Sequence, residues 1–247
     1  MTSNGPTSVK SDRVGAVRRL ANRKFRAKVQ RFLVEGPQAV REAVQHTPDS
    51  VDEVFVVPGE FPWLQGFKVT EVPEPVLLAM TETVHPQGVA AVCRFLPFVP
   101  PAAPRSIVVL HDVRDPGNAG TILRTADAAG ADAVYFTGDS VDPYNGKCVR
   151  STAGSLFHIP FAQADLSDVL ASYKGMQVLA TSGAAHQDLR EVDLARPTVW
   201  LFGNEAHGLP DLELETVSIP IFGSAESLNL ASAAAVCLYA TAFAQRA

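Results

Sequence analysis

Four prolines fall within ten residues, at Pro97, Pro100, Pro101 and Pro104. Each lacks a backbone N–H and has a fixed φ, so the stretch can continue neither a helix nor a central strand and stays extended. It divides the 247-residue chain into an N-terminal piece, residues 11–95, and a C-terminal piece, residues 106–247, joined by a linker over 96–105. Residues 1–10 are polar, hold Gly5 and Pro6, and lack the apolar run of a secretory signal, so they read as a disordered tail. With 47% apolar residues the chain can furnish a sizeable core. No uninterrupted apolar run of about 18 residues marks a membrane span, and no membrane partner is expected.

The C-terminal piece alternates between two periods. Apolar strands are predicted at 107–111, 133–136, 156–160, 176–181, 198–202 and 217–221, with helices near 119–129, 147–153, 165–173 and 228–245. Such alternation indicates a mostly parallel sheet covered by helices, an α/β fold. Ligands of these sheets bind beyond the carboxyl ends of the strands, so the loops following the strands are where chemistry is expected. The N-terminal piece reads as a small α/β/α unit. Asp12 is its candidate cap for a basic helix running to Val29, and Pro37 suits the first turn of a second helix ending near His46. Strands are predicted at 32–36, 54–57, 67–72 and 89–95, and a short helix at 75–80.

Charge is distributed unevenly. Residues 1–42 hold ten of the 21 basic residues against three acidic ones, a balance of +7, while the rest of the chain stands at −12. A basic segment on an acidic body points to an anionic partner held by one region. The cations at Arg18, Arg19, Arg23, Lys24, Arg26, Lys28 and Arg31 are the candidate phosphate contacts. Cys93, Cys148 and Cys237 are widely spaced and form no Cys-x-x-Cys pair. They read as small buried hydrophobes in a reducing, cytoplasmic setting, with neither a disulfide framework nor a metal site.

Three loops draw attention. In the first, Asn118 is a candidate helix cap. Ile122, Ala126 and Ala129 form the stripe that should face the sheet, and Arg124 points away from it with Gly120 one turn earlier on the same outward side. A planar guanidinium there suits a phosphate, which accepts two parallel hydrogen bonds from it. In the second, an apolar strand runs directly into Gly203, where a ligand can approach the backbone closely. No glycine-rich phosphate loop occurs, which counts against NAD, ATP and GTP. His207 has no partner at metal-ligand spacing. In the third, a strand and a Gly/Ser loop feed a last helix capped by Ser227 or Asn229. That helix is apolar on more than one side, so a second subunit can cover one of them.

Together these loops resemble the SpoU/TrmH family of RNA ribose 2′-O-methyltransferases, within the SPOUT class. Asn118, Gly120 and Arg124 match its Asn-x-Gly-x-x-x-Arg pattern. Gly203, Glu205 and Gly208 match Gly-x-Glu-x-x-Gly, and Ile219, Pro220, Ser227, Leu228 and Asn229 match Ile-Pro followed by Ser-Leu-Asn. Lys147, Arg150, Ser151 and Gly154 look like a further family stretch. The N-terminal piece, through residues 31–36 with Arg41 and Glu42, resembles the ribosomal-protein-like RNA-binding domain often fused to this catalytic unit.

The resemblance implies a C-terminal α/β domain with a deep trefoil knot, a feature that no local rule predicts. It implies S-adenosyl-L-methionine (AdoMet) as cofactor, with Thr181, Ser182, Gly203, Ile219, Ile221 and Leu228 around it and no metal. Arg124 is implied as the catalytic group, holding a phosphate and stabilising charge that develops on the 2′-oxygen. Ser227 and Asn229 would orient the ribose or Arg124, and Asn118 and Glu205 would position them. The expected partners are structured RNA, ribosomal RNA ahead of transfer RNA, and a second copy of the chain. A tRNA 2′-O-methyltransferase and a non-catalytic RNA-binding protein remain the alternatives.

Overall fold

The computed structural model describes residues 2–59, 61–183, 185–203 and 214–247. It divides into two units, residues 1–97 with 144–158, and residues 98–143 with 159–247.

The N-terminal elements are β1 (Thr2–Asn4), α1 (Asp12–Arg18), α2 (Arg23–Val29), β2 (Arg31–Glu35), α3 (Pro37–His46), β3 (Val51–Val56), β4 (Val69–Glu71), α4 (Glu74–Met80) and β5 (Val89–Arg94). The strands lie in the order β1-β4-β3-β5-β2; β5 runs antiparallel to both β2 and β3, and the other pairs are parallel. Residues 2–4, read as part of a disordered tail, add a strand to the edge of this sheet, beside Val69, Thr70 and Glu71. The hydrogen-bonding groups along β4 are the template for that pairing.

The basic segment is two helices where the sequence predicts one. Ser11, not Asp12, caps α1 by accepting from Val14 N; Asp12 is the first helical residue, where a carboxylate favours the positive end of the helix dipole. A 3₁₀ turn over Arg19–Ala21 follows, and Asn22 restarts the helix by accepting from Phe25 N at 3.1 Å. The side chain of Arg26 is buried and donates to the carbonyls of Leu20 and Ala21 at 2.7 and 2.9 Å, closing that turn. Val14, Val17, Leu33, Phe55, Leu77 and Met80 form the centre of the core.

The second unit is built from β6 (Ser106–His111), α5 (Pro116–Ala129), β7 (Ala133–Thr137), β8 (Phe161–Gln163), α7 (Leu166–Ser172), β9 (Gln177–Thr181), β10 (Gln187–Asp188), β11 (Thr198–Phe202), β12 (Glu215–Ser218) and α8 (Leu230–Arg246); α6 (Gly146–Ser151) belongs to the first. Its seven strands are all parallel, in the order β10-β12-β9-β11-β6-β7-β8. Four of the five inner strands, β9, β11, β6 and β7, are largely buried, as both-face coverage requires. Trp200 is fully buried, and its indole N–H donates to Thr241 Oγ1 of α8 at 2.9 Å.

Two strand predictions shift. Residues 155–157 form a 3₁₀ turn, and the strand begins at Phe161, after Pro160, whose carbonyl accepts from Val134 N. The strand predicted at 217–221 stops at Ser218, before Pro220.

The segment 144–158 lies in sequence within the alternating C-terminal half, yet it packs into the first unit. The Tyr144 ring stacks on Phe95 with centroids 3.9 Å apart, and Tyr144 Oη accepts from Leu96 N at 2.8 Å. Arg150 reaches Glu35 and Glu82 at 3.4 and 3.5 Å. Gly154 has φ +104°, and a Cβ there would run into Glu42, so glycine is required on both counts.

Candidate active site

Parallel strands place their carboxyl ends along one edge, and the three singled-out loops leave from that edge or from helices beside it. A cavity of about 540 Å3 opens there. Thr181, Ser182 and Gly183 line it from the end of β9, Gly203 from β11, Ile219 and Ile221 from beyond β12, and Ser227, Leu228 and Asn229 from the approach to α8. All six residues expected to contact the cofactor therefore face one space. Val217, Glu226, Leu230 and Ala233 also line it without having been predicted. Ala233 follows Leu230 by one helical step, and Glu226 and Gly183 adjoin predicted positions, so adjacency was the available signal. The volume lies within the roughly 300–1,000 Å3 typical of small-molecule sites. Apolar walls from Val217, Ile219 and Leu228, with hydroxyls from Thr181, Ser182 and Ser227, fit a ligand that is part heterocycle and part polar chain.

The start of α8 is held by Asn229. Its Oδ1 accepts from Ala231 N and Ser232 N at 2.9 and 3.4 Å, and its Nδ2 donates to Asn118 Oδ1 at 3.0 Å. Asn118 is the third residue of α5 and not its cap. Asp115 caps that helix by accepting from Asn118 N at 2.8 Å, and Pro116 supplies a preset φ at the first helical position. The two predicted asparagines are thus joined directly, fixing one helix start against the other.

Arg124 is exposed on α5, opposite the buried stripe of Ile122, Ala126 and Ala129. Among the described residues no hydrogen bond or ion pair engages it. It does not line the cavity. Gly120, expected on the outward side with Arg124, is buried and offers no open surface beside it. Glu205, His207 and Gly208 lie outside the described residues.

Of the candidate phosphate contacts, Arg18, Arg19, Arg23, Lys24 and Lys28 are exposed. Arg26, 2% exposed, is a correction: its guanidinium serves backbone carbonyls. Arg31 is half-buried and paired with Asp52 at 2.6 Å. All three cysteines are free and buried. Burial raises the Cys93 and Cys237 thiols, the latter to about 12, so neither is a thiolate nucleophile at neutral pH.

Comparison with known proteins agrees with this geometry. Residues 105–239 match the SpoU rRNA Methylase family and residues 11–91 an MRM3-like substrate binding domain. The chain is 36% identical over 243 residues to a 23S rRNA (guanosine(2553)-2′-O)-methyltransferase, RlmP, of Bacillus subtilis, covering 94% of this chain and 96% of that one. It superposes with a TM-score of 0.84 on an AdoMet-bound rRNA methyltransferase from Sinorhizobium meliloti, at 34% identity and 97% coverage of both chains. The SpoU methyltransferase AviRb from Streptomyces viridochromogenes, in complex with AdoMet, superposes at 0.83 with 30% identity, covering 96% of this chain and 99% of that one. With its motifs, its parallel sheet and more than half its length matched, the chain belongs to the SpoU rRNA methylase family.

Proposed function

We propose that this chain transfers a methyl group from AdoMet to a ribose 2′-hydroxyl of large-subunit ribosomal RNA. The observation that carries this reading is the convergence of Thr181, Ser182, Gly203, Ile219, Ile221 and Leu228 on one cavity at the carboxyl edge of the sheet, in a member of a family of rRNA methylases.

Bound there, AdoMet supplies an electrophilic methyl on its sulfonium sulfur. Gly203, Ile219 and Leu228 would hold it by backbone and apolar contact, with Thr181 and Ser182 adding hydroxyls. The protein's own part is positioning and charge stabilisation. Asn229 spends its carbonyl on the α8 cap and its amide on Asn118, so it fixes the wall of the cavity, while Ser227 remains to orient the ribose. Arg124 would hold the adjacent phosphate and stabilise the negative charge that develops on the 2′-oxygen. Arginine stays protonated, so this role asks less of it than that of a literal base.

The active form is a homodimer. Val236, Tyr239 and Phe243 recur at helical spacing on the exposed side of α8, with Phe243 70% exposed. A second copy covering them would also allow Arg124 of one subunit to serve the cavity of the other, which accounts for its absence from its own cavity wall. The exposed cations of α1 and α2 engage RNA phosphates. No helix among the described residues is long and apolar enough to cross a membrane, and the free buried cysteines fit a reducing cytoplasm.

Calorimetric titration with AdoMet and with its demethylated product, beside a Gly203→Trp variant, tests the pocket. Binding that the variant loses supports the assignment, and absence of binding to the folded protein overturns it. Mapping of 2′-O-methyl groups on ribosomal RNA then names the nucleotide. Mixing inactive Gly203→Trp with inactive Arg124→Ala restores part of the activity if the site is shared between subunits, and restores none if each subunit is self-sufficient.

A further inference from the structure

The first unit gathers three metal-ligating side chains for which the methyl transfer has no use. Glu42 and His46 stand one turn apart on α3. His158 comes from the end of the segment 144–158, 116 residues after Glu42. Glu42 Oε2 lies 3.3 Å from His46 Nε2 and 3.0 Å from His158 Nε2. The two imidazole rings meet with centroids 4.3 Å apart at 56°, and one ligand atom from each of the three residues falls within 4.8 Å of the others.

We infer that Glu42, His46 and His158 form a binding site for a divalent ion of the zinc class. Two imidazole nitrogens and one carboxylate oxygen suit zinc or cobalt and not magnesium or calcium, which take oxygen ligands. Tetrahedral bonds of about 2.0–2.2 Å place ligand atoms roughly 3.3–3.6 Å apart, near the 3.3 and 3.0 Å that separate Glu42 Oε2 from the two imidazole nitrogens.

The surroundings supply what such a site needs. Glu42 Oε1 accepts from Gln38 Nε2 at 2.9 Å, which turns Oε2 toward both rings. Gly154, where a side chain would collide with Glu42, lets the chain carrying His158 approach α3. The His46 side chain is 49% exposed, which gives an ion a route in and leaves water a coordination position. The role is structural, because the ion ties the end of the segment 144–158 to α3. Local sequence spacing predicts no metal here because His158 is distant in the chain and only the fold brings it to the other two.

The test uses the untagged 247-residue chain, stripped with a chelator and then titrated with Zn2+ and Co2+. The expected result is one equivalent bound, a cobalt spectrum of low coordination number and a rise in melting temperature. His46→Gln and His158→Gln should each weaken zinc binding about 10–100-fold, as should Gln38→Ala, which removes a hydrogen bond to a ligand and not the ligand itself. His46→Ala, at an exposed position, guards against a misfolded variant, since its metal-free melting should match the parent. No zinc binding to the folded parent, or equal binding by a His46→Gln/His158→Gln double variant, overturns the site.

Discussion

The basic run of the N-terminal unit and Arg124 of the C-terminal unit use positive charge differently. In the N-terminal unit several members of a basic run belong to the fold: Arg13 pairs with Glu53, Arg31 pairs with Asp52, and Arg26 is buried against carbonyls. In the C-terminal unit Arg124 stands exposed, and no described residue engages it. A run of like charges counted from sequence is one patch; folded, it separates into cations that hold the chain and cations left for a partner. Engagement, more than exposure, distinguishes the two kinds.

That contrast makes its sharpest claim at Arg124. Arg124→Ala should lower the methylation rate about 10²–10³-fold, the loss seen when a donor to a developing oxyanion is removed. Stability should stay within about 0.5 kcal/mol, because no described contact is lost. Single-turnover methylation, AdoMet titration and denaturant melts check the three quantities separately. Arg124→Lys keeps the charge without the planar fork and should recover only part of the rate. A parallel fall in AdoMet affinity would mean that Arg124 supports the pocket and not the RNA.

Arg26 predicts the reverse behaviour. Arg26→Ala removes two charge-assisted hydrogen bonds and should cost about 1.5–3 kcal/mol of stability, with the salt dependence of RNA binding unchanged. The C-terminal unit has an uncharged counterpart. Thr241→Val leaves the buried Trp200 N–H without its acceptor and should cost roughly 1–3 kcal/mol. Both losses are read from urea unfolding, and neither should lessen at high salt.

The sequence was most legible where one period or one residue type decides the matter. Pro37 after Gly36 placed the start of α3, and the bounds predicted for the strand at 198–202 were those found, because both signals are local. Asn22 was the overlooked cap that splits the basic helix, and it is visible only if a cap is sought inside a helical run. The cavity was legible because parallel strands must bring their carboxyl ends together, so motifs dispersed in sequence could be assigned to one edge. What stayed hidden depended on partners far along the chain. Burial of Arg26 and Gly120, the docking of Tyr144 on Phe95, and the meeting of His158 with Glu42 each need tertiary contacts that no window of sequence contains.

The smallest predicted effects are also the most discriminating for RNA binding. Lys24 and Lys28 are exposed, and no ion pair among the described residues engages them. Each contacted phosphate releases counterions, so Lys24→Ala or Lys28→Ala should reduce the slope of log affinity against log salt by about 0.7–0.9 while leaving stability unchanged. Arg31→Ala breaks a partly exposed pair with Asp52, so it should cost only about 0.2–1 kcal/mol of stability and leave the slope as it was. Filter-binding across a salt series measures the three variants together. Equal slope changes for Arg31 and the two lysines would show that RNA displaces Asp52, and that engagement in the free protein does not decide which cations reach the partner.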